Sequence, residues 1–283
     1  MVQIISYTLR EAIRRKTVLV IFILAGVYLL LFGTGLYFIE RNFLEYTNQR
    51  DTTEMLRHII ILNFLFSFGL FFASFAVNII AVFSAVGAIS GELETWLLQP
   101  VLVRPIKKWE IFLGKFIGYG LLGIMAAVVL ILALVVEFYL ITGFLPNNLF
   151  LATLILGGMP LILTAVTLTG SVRLSPAANG FFALTLYMAS LIGGMMEQVA
   201  SSFPLKTKIL QKIGLLTSII LPTDAIYRKG VGYIISGGSN YAGPLVLFGS
   251  TNPPSLNFVA YTVIYLVGIL ILGIYLFKNR EAG

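Results

Sequence analysis

The residues able to do chemistry are few, and their spacing removes most mechanisms. His58 is the single histidine. One histidine cannot build the two-histidine zinc helix of a metalloprotease. A serine–histidine hydrolase would need a hydroxyl beside His58, but Ser90 stands about 32 residues along the same apolar run, roughly 48 Å away on a straight helix. His58 is read as an interfacial residue. Zero cysteines remove disulfides, thiolate metal sites and a cysteine nucleophile. The step Gly114–Lys115 lacks the upstream glycine and following hydroxyl of a phosphate-cradling loop, so no cofactor is expected on this chain.

Polar groups inside apolar runs are the next candidates. Glu137 lies within one such run and Glu197 closes another. A carboxyl in hydrocarbon is costly enough to be a functional hypothesis by default. Asn63, Ser67 and Asn78 share a run and would be expensive facing lipid, so they are expected to face protein or a cavity. With Glu137 they form the candidate path-lining set.

The elements that must position these groups follow from composition. Of 283 residues, 58% are hydrophobic and 11% charged, with a mean hydropathy of +0.96. A soluble domain needs roughly 25% charged residues to coat its surface, so this surface faces lipid. The fold expected is an all-α integral membrane protein, a single transmembrane domain over residues 1–283. Apolar runs long enough to cross a bilayer lie near 17–38, 58–90, 111–142, 149–170, 177–197 and 257–277.

Ahead of the first run, Val2, Ile5, Leu9 and Ile13 recur at helical spacing with Arg10 and Arg14 on another face, so residues 1–16 read as an amphipathic interfacial helix. The segment 198–256 is read as a long external loop. Within it Leu205, Ile209, Ile213, Leu216 and Ile220 form a stripe that lies on or dips into the membrane. Leu221–Pro222 ends that helix and Thr223–Asp224 can cap another. Gly114 and Gly118 form a small-xxx-small pair suited to close helix packing.

The formal charge of +7 is explained by topology. Arg10, Arg14, Arg15, Lys16, Arg104, Lys107, Lys108, Lys115, Arg173, Lys278 and Arg280 fall in short segments on one side, whereas Arg41, Arg50 and Arg57 are diluted by Glu40, Glu45, Asp51 and Glu54 on the other. The positive-inside rule then places both termini in the cytoplasm, in a multi-pass protein of the plasma or inner membrane. Nucleic acid is not an expected partner; membrane lipid is.

Between the second and third runs, residues 91–110 are too apolar for a solvated loop. Glu92 and Glu94 open a short helix in the sense its dipole favours, Leu93, Leu97 and Leu98 form its apolar side, and Pro100 and Pro105 stop it. Such a helix needs a surface to bury against. Exposed acids fit an anionic leaflet poorly and a protein groove better.

Here the sequence resembles the permease subunits of type 2 ATP-binding-cassette transporters, the exporter class. Glu92 and Glu94 look like the acidic opening of that family's cytoplasmic loop, Pro105–Ile106 its Pro-Ile step, Lys108 its basic residue and Gly114–Lys115 its closing pair. Leu221–Pro–Thr–Asp–Ala–Ile–Tyr–Arg228 is similar to its re-entrant element before the last span. Trp96 and Leu97 depart from the Gly-Thr usual in the family. The resemblance implies a cytoplasmic coupling helix near 91–102, docking to a separate ATPase subunit through Glu92, Leu93, Glu94, Trp96, Leu97 and Arg104. It also implies ATP and Mg bound by that partner, and pairing with a second permease copy or a paralogue. The alternative reading is a stand-alone secondary transporter or channel, which would need ionisable groups at mid-bilayer; these are scarce, and no inverted repeat is present.

Overall fold

In hydrocarbon the backbone has no water to bond, so a chain this apolar must satisfy its N–H and C=O groups within helices. The computed structural model describes residues 2–14, 16–46, 52–94, 107–145, 148–202, 208–235, 248 and 253–280, and among them there is no strand. The helices are α1 (Val2–Arg14), α2 (Lys16–Tyr46), α3 (Thr52–Ala85), α4 (Ser90–Glu94), α5 (Lys108–Thr142) and α6 (Leu149–Leu156). They continue as α7 (Gly158–Gly170), α8 (Pro176–Ser202), α9 (Lys208–Ile220), α10 (Thr223–Ile235) and α11 (Leu256–Lys278). Among the described residues, six stretches are long and apolar enough to cross a membrane: Val18–Phe43, Arg57–Glu92, Lys108–Thr142, Leu149–Gly170, Pro176–Ala200 and Leu256–Lys278. The protein is an all-α integral membrane protein.

The third span, α5, is the hub, packing against α1, α2, α3, α7 and α11. Its glycines make this possible. A Cβ at Gly114 or Gly118 would come within 2.8 Å of Ile4 or Thr8 of α1, and one at Gly120 or Gly123 within 2.8 Å of Leu161 or Pro160 of α7. Phe66 of α3 meets Phe138 of α5 edge to face at 5.0 Å, in a core that includes Leu70, Ile131 and Leu134. The first and last spans, by contrast, present most of their surface outward.

Two amphipathic helices turn faces other than their whole apolar stripes inward. α1 docks on α5 through Ile4 and Thr8, with Leu9 of its stripe also packed on the core and Ile13 exposed. α9 buries Gly214 and Ser218 against α8 and exposes Ile209, Ile213, Leu216 and Ile220. Within a bilayer the apolar stripe has a favourable neighbour in lipid, and the small-residue face is the one that permits close helix contact.

The fourth apolar run is not one helix. It breaks at Gly157 into α6 and α7. Pro160 has no N–H for the carbonyl of Leu156 and its ring crowds that carbonyl, so an unbroken helix is disfavoured there.

Both described chain ends lie on one face. α1 packs at the start of α5, and Lys108 Nζ donates to the carbonyls of Lys278 (3.2 Å) and Arg280 (2.8 Å), capping the end of α11. On the opposite, distal face α9 runs back along α8, then turns through 101° into α10 at Leu221–Pro222. Tyr261 and Tyr265 near the start of α11 donate to the carbonyls of Ile219 and Ile220 at this bend. The two helices form a bent hairpin, and α11 runs from this bend to Lys108 at the other face.

Candidate functional site

The end of the second span is a non-helical turn. Residues 86–89 interrupt the helix between Ala85 and Ser90, which leaves carbonyls without their helical donors. Two buried side chains from other spans supply them. Lys115, 4% exposed, donates from Nζ to the carbonyl of Ala88 at 2.7 Å and to Glu92 Oε1 at 2.5 Å. Asn179, on the first turn of α8, donates from Nδ2 to the carbonyls of Val86 at 2.8 Å and Thr167 at 2.9 Å. Pro176 packs over Gly87 and Gly91. Spans three and five therefore converge on one short turn of span two, and Asn179 joins span four to it through the Thr167 carbonyl.

A lysine buried at this level needs a carboxylate and a carbonyl, since an unpaired ammonium in low dielectric is expensive. Its position fits: the stem leaves α5 about two turns after the helix starts and reaches across to α4. The ion pair is thus a mechanical tie between the third span and the segment that follows the second.

A second polar cluster lies in the distal half. Arg228 of α10 donates from Nε to Asp224 Oδ2 at 2.8 Å and from Nη2 to Glu197 Oε2 of α8 at 2.8 Å. Asp224 and Arg228 are almost fully buried, while Glu197 is partly exposed. Ser190 Oγ donates to the carbonyl of Leu221, accepts from Thr223 Oγ1 and lies within reach of the Asp224 N–H. Gly193, Gly194 and Gly214 allow this approach: a Cβ at Gly214 would meet Glu197, and one at Gly193 or Gly194 would collide with Thr217 or the Asp224 carboxylate. One guanidinium is shared by two carboxyl groups and binds the hairpin to the fifth span.

The Ser190 hydroxyl donates to the Leu221 carbonyl and not to a carboxylate, and among the described residues no three His, Asp or Glu converge to hold a metal. Both clusters instead fix helices relative to one another. One ties the start of span three to the segment between spans two and three; the other locks a bent hairpin before the last span. A family profile described as ABC-2 family transporter protein matches residues 3–282. The chain belongs to the ABC-2 transporter family. No curated protein sequence matches it. It is a membrane permease component of an ABC transporter.

In this ABC-2 permease the candidate path residues separate. Ser67 is buried and donates to the carbonyl of Asn63, which is half-buried on the same helix. Asn78 is fully buried and donates from Nδ2 to Tyr187 Oη of α8 at 3.1 Å, so its amide joins spans two and five. Glu137 sits against Gly33 of the first span, where a Cβ would collide with its carboxyl. His58 pairs with Glu40 at 2.8 Å and stacks on Phe43 at 3.7 Å, stapling the distal ends of spans one and two.

Of the docking candidates, Glu92 is engaged by Lys115, and Leu93 and Glu94 lie in α4. Trp96, Leu97 and Arg104 fall outside the described residues. Asn179, the Ser190 hydroxyl and the Arg228 bridge are not among the residues singled out from the sequence. Asp224 and Arg228 stand four apart on one helix face, a readable signal; Asn179 and Ser190 carry none.

Proposed function

We propose that this ABC-2 permease converts ATP hydrolysis on a separate ATPase subunit into export, or other conformational work, across the membrane. In this reading residues 91–102 form the coupling helix, facing the cytoplasm with both termini, in the plasma or inner membrane. ATP and Mg stay with the ATPase subunit, and the permease pairs with a second copy or a paralogue.

The observation that supports the reading is the Lys115 tie. Displacement of α4 by a partner cannot be absorbed by a slack loop, because Glu92 and the Ala88 carbonyl are both held by a residue of the third span. A push on this segment is delivered to spans two and three together, and through Asn179 to span five. Rigid-body shifts of packed helices are the usual form of such transitions.

The test is co-purification of the tagged chain from solubilised host membranes, wild type against Trp96→Ala/Leu97→Asp, with co-eluting proteins identified by mass spectrometry. This pair spares Glu92, whose loss would orphan buried Lys115. A P-loop ATPase retained by wild type and lost by a variant of unchanged elution profile is expected. Failure to recover any ATPase after mild crosslinking overturns the reading and favours gradient-driven transport.

A further inference from the structure

Span four carries two glycines that its observed conformation does not require. Gly157 has φ −62° and ψ −16°, ordinary helical values. A Cβ there would meet only carbonyls of the preceding turn, the nearest at 3.3 Å, and a Cβ at Gly158 would meet Ile226 Cγ2 at 3.9 Å, an ordinary contact. Elsewhere in the same region glycine has a steric reason: Gly120, Gly123 and Gly230 would each bring a Cβ within 2.7–2.8 Å of a neighbour. Glycine is the poorest helix former after proline, so a pair with no steric need, followed by Pro160, has a use in a conformation other than this one.

The surroundings say what that use is. Proximal to the break, span four is gripped: Leu161 and Pro160 sit in the notches left by Gly120 and Gly123 of α5. Distal to it, α6 stands off from α5 across an apolar groove of about 510 Å³, with Val128 and Leu132 on one wall, Phe150 and Leu154 on the other and Gly157–Gly158 at its floor. The main support of α6 is α10: Leu156 packs on Gly230 beside the break, and the Ala152 carbonyl, one turn further out, lies by the same glycine. Gripped below, glycine-jointed in the middle and divided from the third span above by the groove, α6 has the parts of a hinged flap that turns on its contact with α10.

We propose that α6 swings about residues 157–160 and narrows the groove against the third span, so that the distal half of span four alternates between an open and a closed position. The inference stands on this geometry and not on the ATPase reading. Hinges of this kind are a few element-terminal residues that absorb the backbone change.

The native chain has no cysteine, so paired cysteines report cleanly. Val128→Cys/Leu154→Cys, on facing walls, is made in the full chain, reconstituted in lipid nanodiscs and treated with a short and a long bis-methanethiosulfonate linker. With the native glycines, both linkers are expected to join the pair. In the Gly157→Ala/Gly158→Ala background the short linker should react about tenfold more slowly while the long one is unaffected. The alanine protein should also melt no lower than its parent, whereas glycines needed for packing would make it melt lower. Equal short-linker rates in the two backgrounds, or a short linker that never joins the pair, overturn the proposal. Should the double variant elute as aggregate, Gly158→Ala alone carries the same expectation and the same refutation.

Discussion

The carboxylate of Asp224 occupies the volume that any side chain on residue 194 would need. Gly194 is therefore a packing requirement, because the hairpin brings its charged turn directly against the backbone of the fifth span. Gly194→Ala is expected to lower stability by about 1–3 kcal/mol through overpacking. Gly268, where a Cβ meets nothing within 4 Å, is the control. Size-exclusion profiles after heating in detergent should show an earlier transition for Gly194→Ala and none for Gly268→Ala; identical transitions would refute the packing claim.

Arg228 is the cation of the distal cluster, and its removal leaves two carboxylates facing each other. Arg228→Ala should cost about 3–5 kcal/mol, the penalty of breaking a buried pair from one side. Arg228→Lys keeps the charge but not the planar fork that serves Asp224 and Glu197 together, and should fall between. Asp224→Asn/Arg228→Gln, which removes charge from both sides, should recover part of the loss. The same melting assay decides; a double variant no better than Arg228→Ala would mean the cluster is not held by charge.

What the sequence makes legible here is what depends on local runs. Six long apolar stretches specify six spans because hydrocarbon leaves the backbone no alternative to helices, and the basic segments cluster on one face. The break at Gly157 is hidden from hydropathy, which stays high across it, although Gly157, Gly158 and Pro160 signal it by type. The Lys115 tie is harder to see: a lysine at a span's edge reads as a topology marker, and only the fold brings Ala88 and Glu92 to it. Glu197 meets Arg228 because Gly193, Gly194 and Gly214 let two antiparallel helices approach closely, a long-range consequence of packing.

The contact of α1 with α5 rests on two notches, Gly114 under Ile4 and Gly118 under Thr8. Gly118→Leu fills the second and should detach α1, raising hydrogen exchange of amides 4–12 by about tenfold or more as that helix opens locally. Gly26→Leu, where nothing lies within 4 Å, should leave the exchange unchanged. Protection of α1 that survives Gly118→Leu would show that the helix is held by lipid and not by the third span.

Lys115 is the residue through which the end of span two, the start of α4 and span three act together. Lys115→Met keeps much of the side-chain volume and deletes the ammonium, leaving the Ala88 carbonyl and the Glu92 carboxylate without their donor. A buried acceptor orphaned in this way costs about 1–3 kcal/mol, more for a charged one, but the loss should be local, because the helical core of α5 does not depend on it. Exchange of amides 87–94 is therefore expected to rise about tenfold or more, with amides 120–135 unchanged. Glu92→Gln/Lys115→Met should be milder than Lys115→Met alone, since the unpaired charge is gone. Reconstituted with the ATPase subunit proposed above, the Lys115→Met permease should hydrolyse ATP at a near-normal rate while losing ATP-dependent work in the membrane. Unchanged exchange at 87–94 would remove the tie from the argument, and full transmembrane work in that variant would show that the push travels by another route.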